Sequence, residues 1–401
     1  TFRIKIAVDT SYMFTVDQSV TNAGTGPVAA RSYAFVSRDH VSTDPSAWTN
    51  HTGPIGVFNG AANYGVAFTD LDEAGAAGTR FSTKGGWLGF GDKYWLAAIS
   101  PSADVQADTG FRAGNGSYQA EFALPPMILQ PGKAMTTTTH LFAGAKEVAV
   151  LDGYQKALGL PLFGKAIDWG WFEILAKPFF YLLDWLFKLF GNFGLAIMAM
   201  TVIVRGAMFP IAQKQFGSMA AMRTVQPKMK VLQERYKDDK VKLQQEMMEL
   251  YKREKVNPMA GCLPMILQIP IFYALYKVLS VSIEMRHQPF ILWIKDLSAP
   301  DPAHFLNLFG LLNFTPPAML GIGVLALLLG VTMFLQFKLN PAPVDPAQAQ
   351  MFAIMPWMMM FVMSSFASGL LLYWTTTNIL VIAQQKWLYS RHPGLKTAPA
   401  T

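Results

Sequence analysis

Of the 401 residues, 52% are hydrophobic and 15% are charged, with 33 Lys and Arg against 26 Asp and Glu for a formal net charge of +7. Soluble proteins carry roughly 25% charged residues, so this composition argues against a wholly soluble chain. The one cysteine, Cys262, excludes internal disulfides.

The apolar residues crowd into the second half, which reads as a soluble domain followed by a membrane domain. The first residue is Thr1, no signal or anchor segment is visible, and Phe2-Arg-Ile-Lys-Ile-Ala-Val8 already has strand patterning. A stretch of a longer protein is therefore expected.

Residues 1–165 hold short alternating runs cut by Gly, Asn, Asp and Pro, such as Tyr94-Trp-Leu-Ala-Ala-Ile99 and Thr137-Thr-Thr-His-Leu-Phe142. That spacing predicts an antiparallel, all-β sandwich. His40 and His51 lie in polar loops without a nucleophile or a ligand-spaced partner, and Gly85-Gly86-Trp87 reads as a turn. No paired carboxylates, metal cluster or nucleotide loop appears, so neither an enzyme nor a cofactor is expected.

Residues 166–190 are apolar enough to suggest a spanning helix, but their charges oppose it. Glu173, Lys177, Asp184 and Lys188 fall within an arc of about 60° at 100° per residue. A polar stripe of full length, with Trp169, Trp171 and Trp185 as anchors, fits a helix lying in the headgroup plane. Gly191-Asn192 would then turn the chain into the membrane.

Residues 191–212 form an apolar run long enough to cross a hydrocarbon core, for which about 20 residues suffice. Arg205 sits inside it. A guanidinium there costs roughly 3 kcal/mol on insertion scales and cannot shed its proton. Either it snorkels to the interface or it faces a wet cavity within the membrane.

Residues 213–258 are the most charged part of the protein, and Lys and Arg outnumber Asp and Glu. This excess marks the cytoplasmic side. Phe216, Met219 and Met222, then Leu243, Met247, Leu250 and Tyr251, space helically around Lys237-Asp-Asp-Lys240, which predicts a helical hairpin.

A second span is expected over 261–282, with Pro264, Pro270 and the amide Gln268, which reads either as interhelical glue or as cavity lining. A periplasmic loop follows over 284–317, a span over 318–337 and a cytoplasmic loop over 338–350. Residues 351–388 are too long for one crossing and break at Ser364-Ser-Phe-Ala-Ser-Gly369, giving spans over 351–365 and 369–388. The first is rich in methionine, and the second opens on Trp374 and Thr375-Thr-Thr-Asn378. Residues 389–401 are a cytoplasmic tail. The fold class expected is an α-helical membrane protein with five transmembrane helices, a partial periplasmic sandwich and a cytoplasmic hairpin.

Several of these stretches together resemble the YidC membrane protein insertase family. They are Met200-Thr-Val-Ile-Val-Arg-Gly206, Glu246-Met-Met-Glu-Leu-Tyr-Lys252, Gly261-Cys-Leu-Pro264, Gln268-Ile-Pro-Ile-Phe272 and Leu292-Trp-Ile-Lys-Asp-Leu297. The earlier residues look like the second half of the large periplasmic sandwich of Gram-negative members. The resemblance implies a hydrophilic groove, closed outwards and open to cytoplasm and lipid, lined by Arg205, Thr201, Gln268 and Trp374. Trp374 stands where the family often has tyrosine, keeping the ring and losing the hydroxyl.

By the same resemblance the protein inserts and helps fold newly made inner-membrane proteins, alone or with the Sec translocon. The implied partners are nascent membrane proteins, the ribosome, the Sec translocon and membrane lipids, with no DNA. The implied location is the bacterial inner membrane, with the first domain in the periplasm and the C-terminus in the cytoplasm. Two other readings stay open: a channel or transporter that holds an anionic solute at Arg205, and a membrane-tethered carbohydrate-active domain.

Overall fold

A computed structural model describes residues 1–42, 50–101, 105–237, 239–254, 256, 263–304, 306–309, 312, 314, 321–339 and 346–391. They form two compact units, Thr1–Gly170 with Val281–Glu284, and Trp171–Ser280 with Met285–Thr401.

The first unit is β-rich. Its strands are β1 (Phe2–Val8), β2 (Met13–Thr21), β3 (Val28–Ala30), β4 (Tyr33–Arg38), β5 (Gly53–Phe58), β6 (Ala61–Asn63), β7 (Thr79–Lys84), β8 (Trp87–Gly91), β9 (Trp95–Ser100), β10 (Gln106–Gly114), β11 (Ser117–Ala123), β12 (Met127–Leu129) and β13 (Ala134–Ala145). Helices α1 (Phe68–Ala74) and α2 (Val148–Ala157) accompany them. One sheet has seven strands in the order β1-β2-β13-β9-β8-β5-β6, a second has four in the order β4-β11-β10-β7, and β12 pairs with β3.

Period-2 patterning explains why the two larger sheets face each other. Leu88, Phe90 and Ile99 from the first sheet bury against Phe111, Ala120 and Phe122 from the second, in one core closed by Phe68 and Leu71 of α1. The β10–β11 hairpin turns at Asn115 (φ 53°) and Gly116 (φ 76°), the left-handed pair that a two-residue hairpin loop demands. Gly85 and Gly86 also have positive φ, and a Cβ on Gly86 would lie 2.1 Å from the Val57 carbonyl oxygen. His40 is exposed. His51 lies in a loop and is half-buried: its Nε2 lies 2.9 Å from the Pro54 carbonyl oxygen and its ring meets Tyr64 edge-on.

This unit runs past the expected boundary at 165. It extends to Gly170: Ile167 and Trp169 are buried, and the Asp168 carboxylate accepts the His51 N–H at 3.0 Å. Apolar packing, which composition does not locate, keeps that segment on the sheet.

The second unit holds α3 (Glu173–Phe190), α4 (Phe193–Arg235), α5 (Lys240–Arg253), α6 (Leu263–Val281), α7 (Val324–Leu339), α8 (Pro346–Met363) and α9 (Ser368–Arg391). Gly191 ends α3 in the left-handed conformation, and the Asn192 side chain accepts the Leu195 N–H to start α4. α3 buries Ala176, Phe180, Leu183 and Leu186, and leaves Ile174, Tyr181, Trp185 and Leu189 exposed on another face. Its charges pair along the helix, Lys177 with Glu173 and Lys188 with Asp184.

The apolar part of α4 ends at Gln213, but the helix does not. α4 continues unbroken for 43 residues, so the first arm of the hairpin is the same helix. The reason is local: the run after Gln213 is rich in Ala, Met, Gln, Lys and Arg, which are strong helix formers, so polarity changes at 213 while the backbone does not. The hairpin closes where Asp239 caps α5 through the Lys242 N–H. Val225 and Met229 of α4 bury with Leu250 of α5, and Lys228 pairs with Glu254 at 2.8 Å.

Among the described residues one segment, Phe193–Gln213, is long and apolar enough to cross a membrane, whereas the apolar stretches Ile266–Val281, Val324–Leu339 and Ala349–Met363 are shorter. Met360 and Met363 of α8 are buried, and Met351 and Met358 are exposed. Cys262, the side chains of Phe216, Met219 and Met222, loop residues 340–345 and the tail from 392 lie outside the described residues.

Candidate functional site

α9 packs along both α4 and α7, which brings the second turn of α9 beside the middle of the apolar part of α4. Arg205 is half-buried there, and no carboxylate pairs with it among the described residues. It interacts electrostatically with Tyr373 of α9, which is 3% exposed.

The Tyr373 hydroxyl is held in turn by α6, because Gln268 Nε2 donates to it at 2.8 Å. Gln268 therefore bridges α6 to α9 at the residue that interacts with Arg205. Thr201, one turn before Arg205 on α4, is buried, and its hydroxyl donates to the Ile197 carbonyl of its own helix at 2.7 Å. That hydroxyl is satisfied within its own helix.

Trp374 is half-buried with its ring against Phe272 of α6, centroids 4.8 Å apart. The hydroxyl expected to be missing at this position comes from Tyr373, the residue before it. Adjacent helical residues point about 100° apart, so only one of the Tyr373–Trp374 pair can face Arg205. The signal was available: Tyr373, Thr377 and Gln384 recur at helical spacing on one stripe of α9.

On the other side of α9, Asn378 Nδ2 donates to Thr332 Oγ1 of α7 at 3.1 Å, and Thr332 donates on to the Leu328 carbonyl. Thr375, Thr376 and Thr377 are all buried, and the Thr375 hydroxyl has no partner among the described residues. The site thus combines one permanent positive charge with neutral donors and acceptors. Among the described residues no group of His, Cys, Asp and Glu could hold a metal ion. The chemistry on offer is attraction and hydrogen bonding of polar or anionic groups.

Comparison with known proteins agrees across the chain. A family model described as 60Kd inner membrane protein matches residues 185–395, and one for the YidC periplasmic domain matches residues 1–182. The membrane protein insertase YidC of Zymomonas mobilis subsp. mobilis is 53% identical over 393 residues, which covers 98% of this chain and 68% of that protein. The membrane protein insertase YidC of Rhizobium etli is 47% identical over 399 residues, 99% of this chain and 66% of the other. A solved structure of an active YidC insertase with its first transmembrane domain resolved covers 93% of this chain and 70% of that chain, at 22% identity and a TM-score of 0.47. The chain spans about two thirds of the length of these two named relatives.

Proposed function

The chain belongs to the YidC family of membrane protein insertases, and we propose that it inserts newly made inner-membrane proteins through a hydrophilic groove centred on Arg205. The observation that carries this reading is the half-buried guanidinium on an apolar helix, with no carboxylate partner among the described residues and with Tyr373 and Gln268 beside it. An intramembrane charge left uncompensated by protein is costly unless water or a ligand solvates it. The buried Thr375 hydroxyl is another group that hydration would satisfy.

In this mechanism the groove shortens the apolar path for the polar tail of an entering segment, whose loss of hydration is the main barrier. Arg205 attracts acidic or polar residues of the tail. Gln268 and Tyr373 offer exchangeable hydrogen bonds, and Thr201 and Trp374 border the site. The exposed apolar side chains Met351, Ile354, Met358 and Phe361 of α8 guide the client's apolar part into lipid.

The same reading assigns five crossings to α4, α6, α7, α8 and α9, with the first unit in the periplasm and the hairpin and C-terminus in the cytoplasm. The exposed apolar face of α3 lies in the headgroup layer. The basic hairpin docks the ribosome, and the Sec translocon is a partner for some clients.

The test is thiol accessibility in a Cys262→Ser background. A cysteine replacing Arg205 is labelled with a membrane-impermeant maleimide from the hairpin side, against Leu327→Cys on the exposed face of α7 as control. Fast labelling at 205 and slow labelling at 327 is expected. Equal, slow labelling at both sinks the groove. The rival reading, a channel for an anionic solute, predicts solute uptake that Arg205→Ala abolishes while client insertion stays intact.

A further inference from the structure

The Asn192 cap of α4 also fixes the loop that follows α6. Its Oδ1 accepts the Leu195 N–H, and its Nδ2 donates to the Phe290 carbonyl at 3.0 Å. The Phe290 ring lies so close to Gly194 that a Cβ there would come within 2.0 Å of it. Phe290 is thereby held level with the first turn of α4.

That level can be placed against a bilayer. The apolar part of α4, Phe193–Gln213, is 21 residues long. At 1.5 Å per residue this is about 31 Å, which the ~30 Å of a hydrocarbon core uses in full. The crossing therefore starts at the first turn, and Phe290 sits at the edge of the hydrocarbon. Ile291 and Leu292 follow within about 7 Å of chain, at roughly 3.5 Å per residue. The headgroup layer is roughly 5–8 Å thick on each side, so both residues stay at the interface whichever way the turn points.

What the turn presents there is apolar. Leu292 is 80% exposed and Ile291 is 53% exposed. Leu292 has φ 55°, in the left-handed region that residues other than glycine rarely adopt. Two backbone bonds hold it there, Phe290 N to the Ile294 carbonyl at 3.0 Å and Ile294 N to the Ile291 carbonyl at 3.1 Å. The turn thus tolerates strain while a leucine points away from the protein. Trp293, which composition would name as the anchor, is engaged inwards, its Nε1 donating to Asp301 at 3.0 Å. The Asp296 carboxylate is occupied by the His287 and Ser298 N–H groups and the Ser298 hydroxyl, whereas Lys295 is exposed. At the same corner of the chain, Leu189 and Phe190 end α3 exposed, and so does Leu195 in the first turn of α4.

We propose that Ile291 and Leu292 form an apolar tip seated in the phospholipid headgroup layer, a membrane anchor separate from α3, with Lys295 reaching lipid phosphate. The juxtaposition of a strained, exposed leucine with the first turn of an apolar helix carries this. Lipid is favoured over a protein partner because α4 sets the depth of the tip and an exposed cation flanks the apolar pair. The proposal rests on the reading of α4 as a crossing and not on hydration around Arg205. Its consequence is a fixed depth for the start of α4.

The reporter is an environment-sensitive fluorophore on Leu292→Cys in the Cys262→Ser background of the full chain. The protein is reconstituted into vesicles of phosphatidylcholine and phosphatidylglycerol, with and without lipid bearing a nitroxide just below the headgroup. Emission is expected to be blue-shifted and to lose intensity when nitroxide lipid is present. Leu292→Asp, read from the same fluorophore on Ile291→Cys, is expected to abolish both effects; aspartate tolerates the left-handed conformation, so the turn is kept. Lys295→Gln is expected to weaken quenching in vesicles containing phosphatidylglycerol and to leave it unchanged in phosphatidylcholine alone. Water-like, unquenched emission at 292 overturns the anchor. Blue emission without quenching overturns it too, because a client or a second copy of the chain would then cover the tip. Leu195→Cys is scored separately: if that position is unquenched, the reading of α4 as a crossing fails, while the signal from 292 still decides the tip.

Discussion

Gln268 of α6 donates to the hydroxyl of Tyr373 of α9 at 2.8 Å, and this bond sits beside Arg205 of α4. It ties two helices together beside the charged residue. Interhelical side-chain bonds in membrane proteins average only about 0.6 kcal/mol, so its removal leaves the bundle folded. The expected effect falls on clients. Tyr373→Phe and Gln268→Leu each lower insertion of a client with an acidic tail several-fold, and the double variant is no worse than the poorer single one. Additive losses in an in vitro insertion assay would show that the two side chains act independently.

The first unit should lose stability in mild acid. Burial pushes the His51 imidazole below its ordinary value near 6.5, outweighing the pull of Asp168, and Lys146 pushes it the same way. A base whose folded value is depressed is held neutral by the fold. Its contribution is present above the unfolded value and is lost as pH falls below it. His140 is shifted in the same direction, again by burial. Unfolding midpoints measured between pH 7.5 and 5 should fall, and His51→Gln should flatten that slope. An equal slope in the variant would remove His51 from the account.

The hairpin has a core of its own, with Val225, Met229 and Leu250 as the buried residues. Leu250→Ala should cost the roughly 2–5 kcal/mol of a core truncation, which so small a cluster cannot absorb. Hydrogen exchange is expected to rise in α5 and the last turns of α4 while α9 is unchanged. Loss of protection throughout the bundle would mean that the hairpin is not an independent folding unit.

α3 carries two apolar faces separated by its charges, one buried and one bearing Ile174, Tyr181, Trp185 and Leu189. An environment-sensitive fluorophore on Trp185→Cys should shift to the blue when the protein enters vesicles, and the same probe on Lys188→Cys should not. Matching spectra at both positions would argue against a helix lying in the headgroup layer.

The sandwich was legible because period-2 alternation and turn residues mark strands locally, as Asn115-Gly116 does between β10 and β11. Arg205 stood out because a charge within an apolar run is visible without any structure. Tyr373 was not found, since choosing between Tyr373 and Trp374 requires the rotation of α9 about its axis. Packing against α4, and the bond from Asn378 to Thr332 of α7, set that rotation. That the apolar span and the first arm of the hairpin share one helix was not legible, because composition changes at 213 and Pro210 falls just before that change.

Sequence alone determined the parts: a β-rich first unit, an apolar helical second unit, a basic hairpin, and an arginine too costly to be incidental. These are one-dimensional properties, set by composition, period and charge. Tertiary structure decided which polar side chains come together. Arg205, Gln268 and Tyr373 come from three helices, and Asp301 reaches Leu325 across 24 residues of chain. Hydrogen bonds act over about 3 Å, so partners far apart along the chain are fixed only when packing brings their helices together.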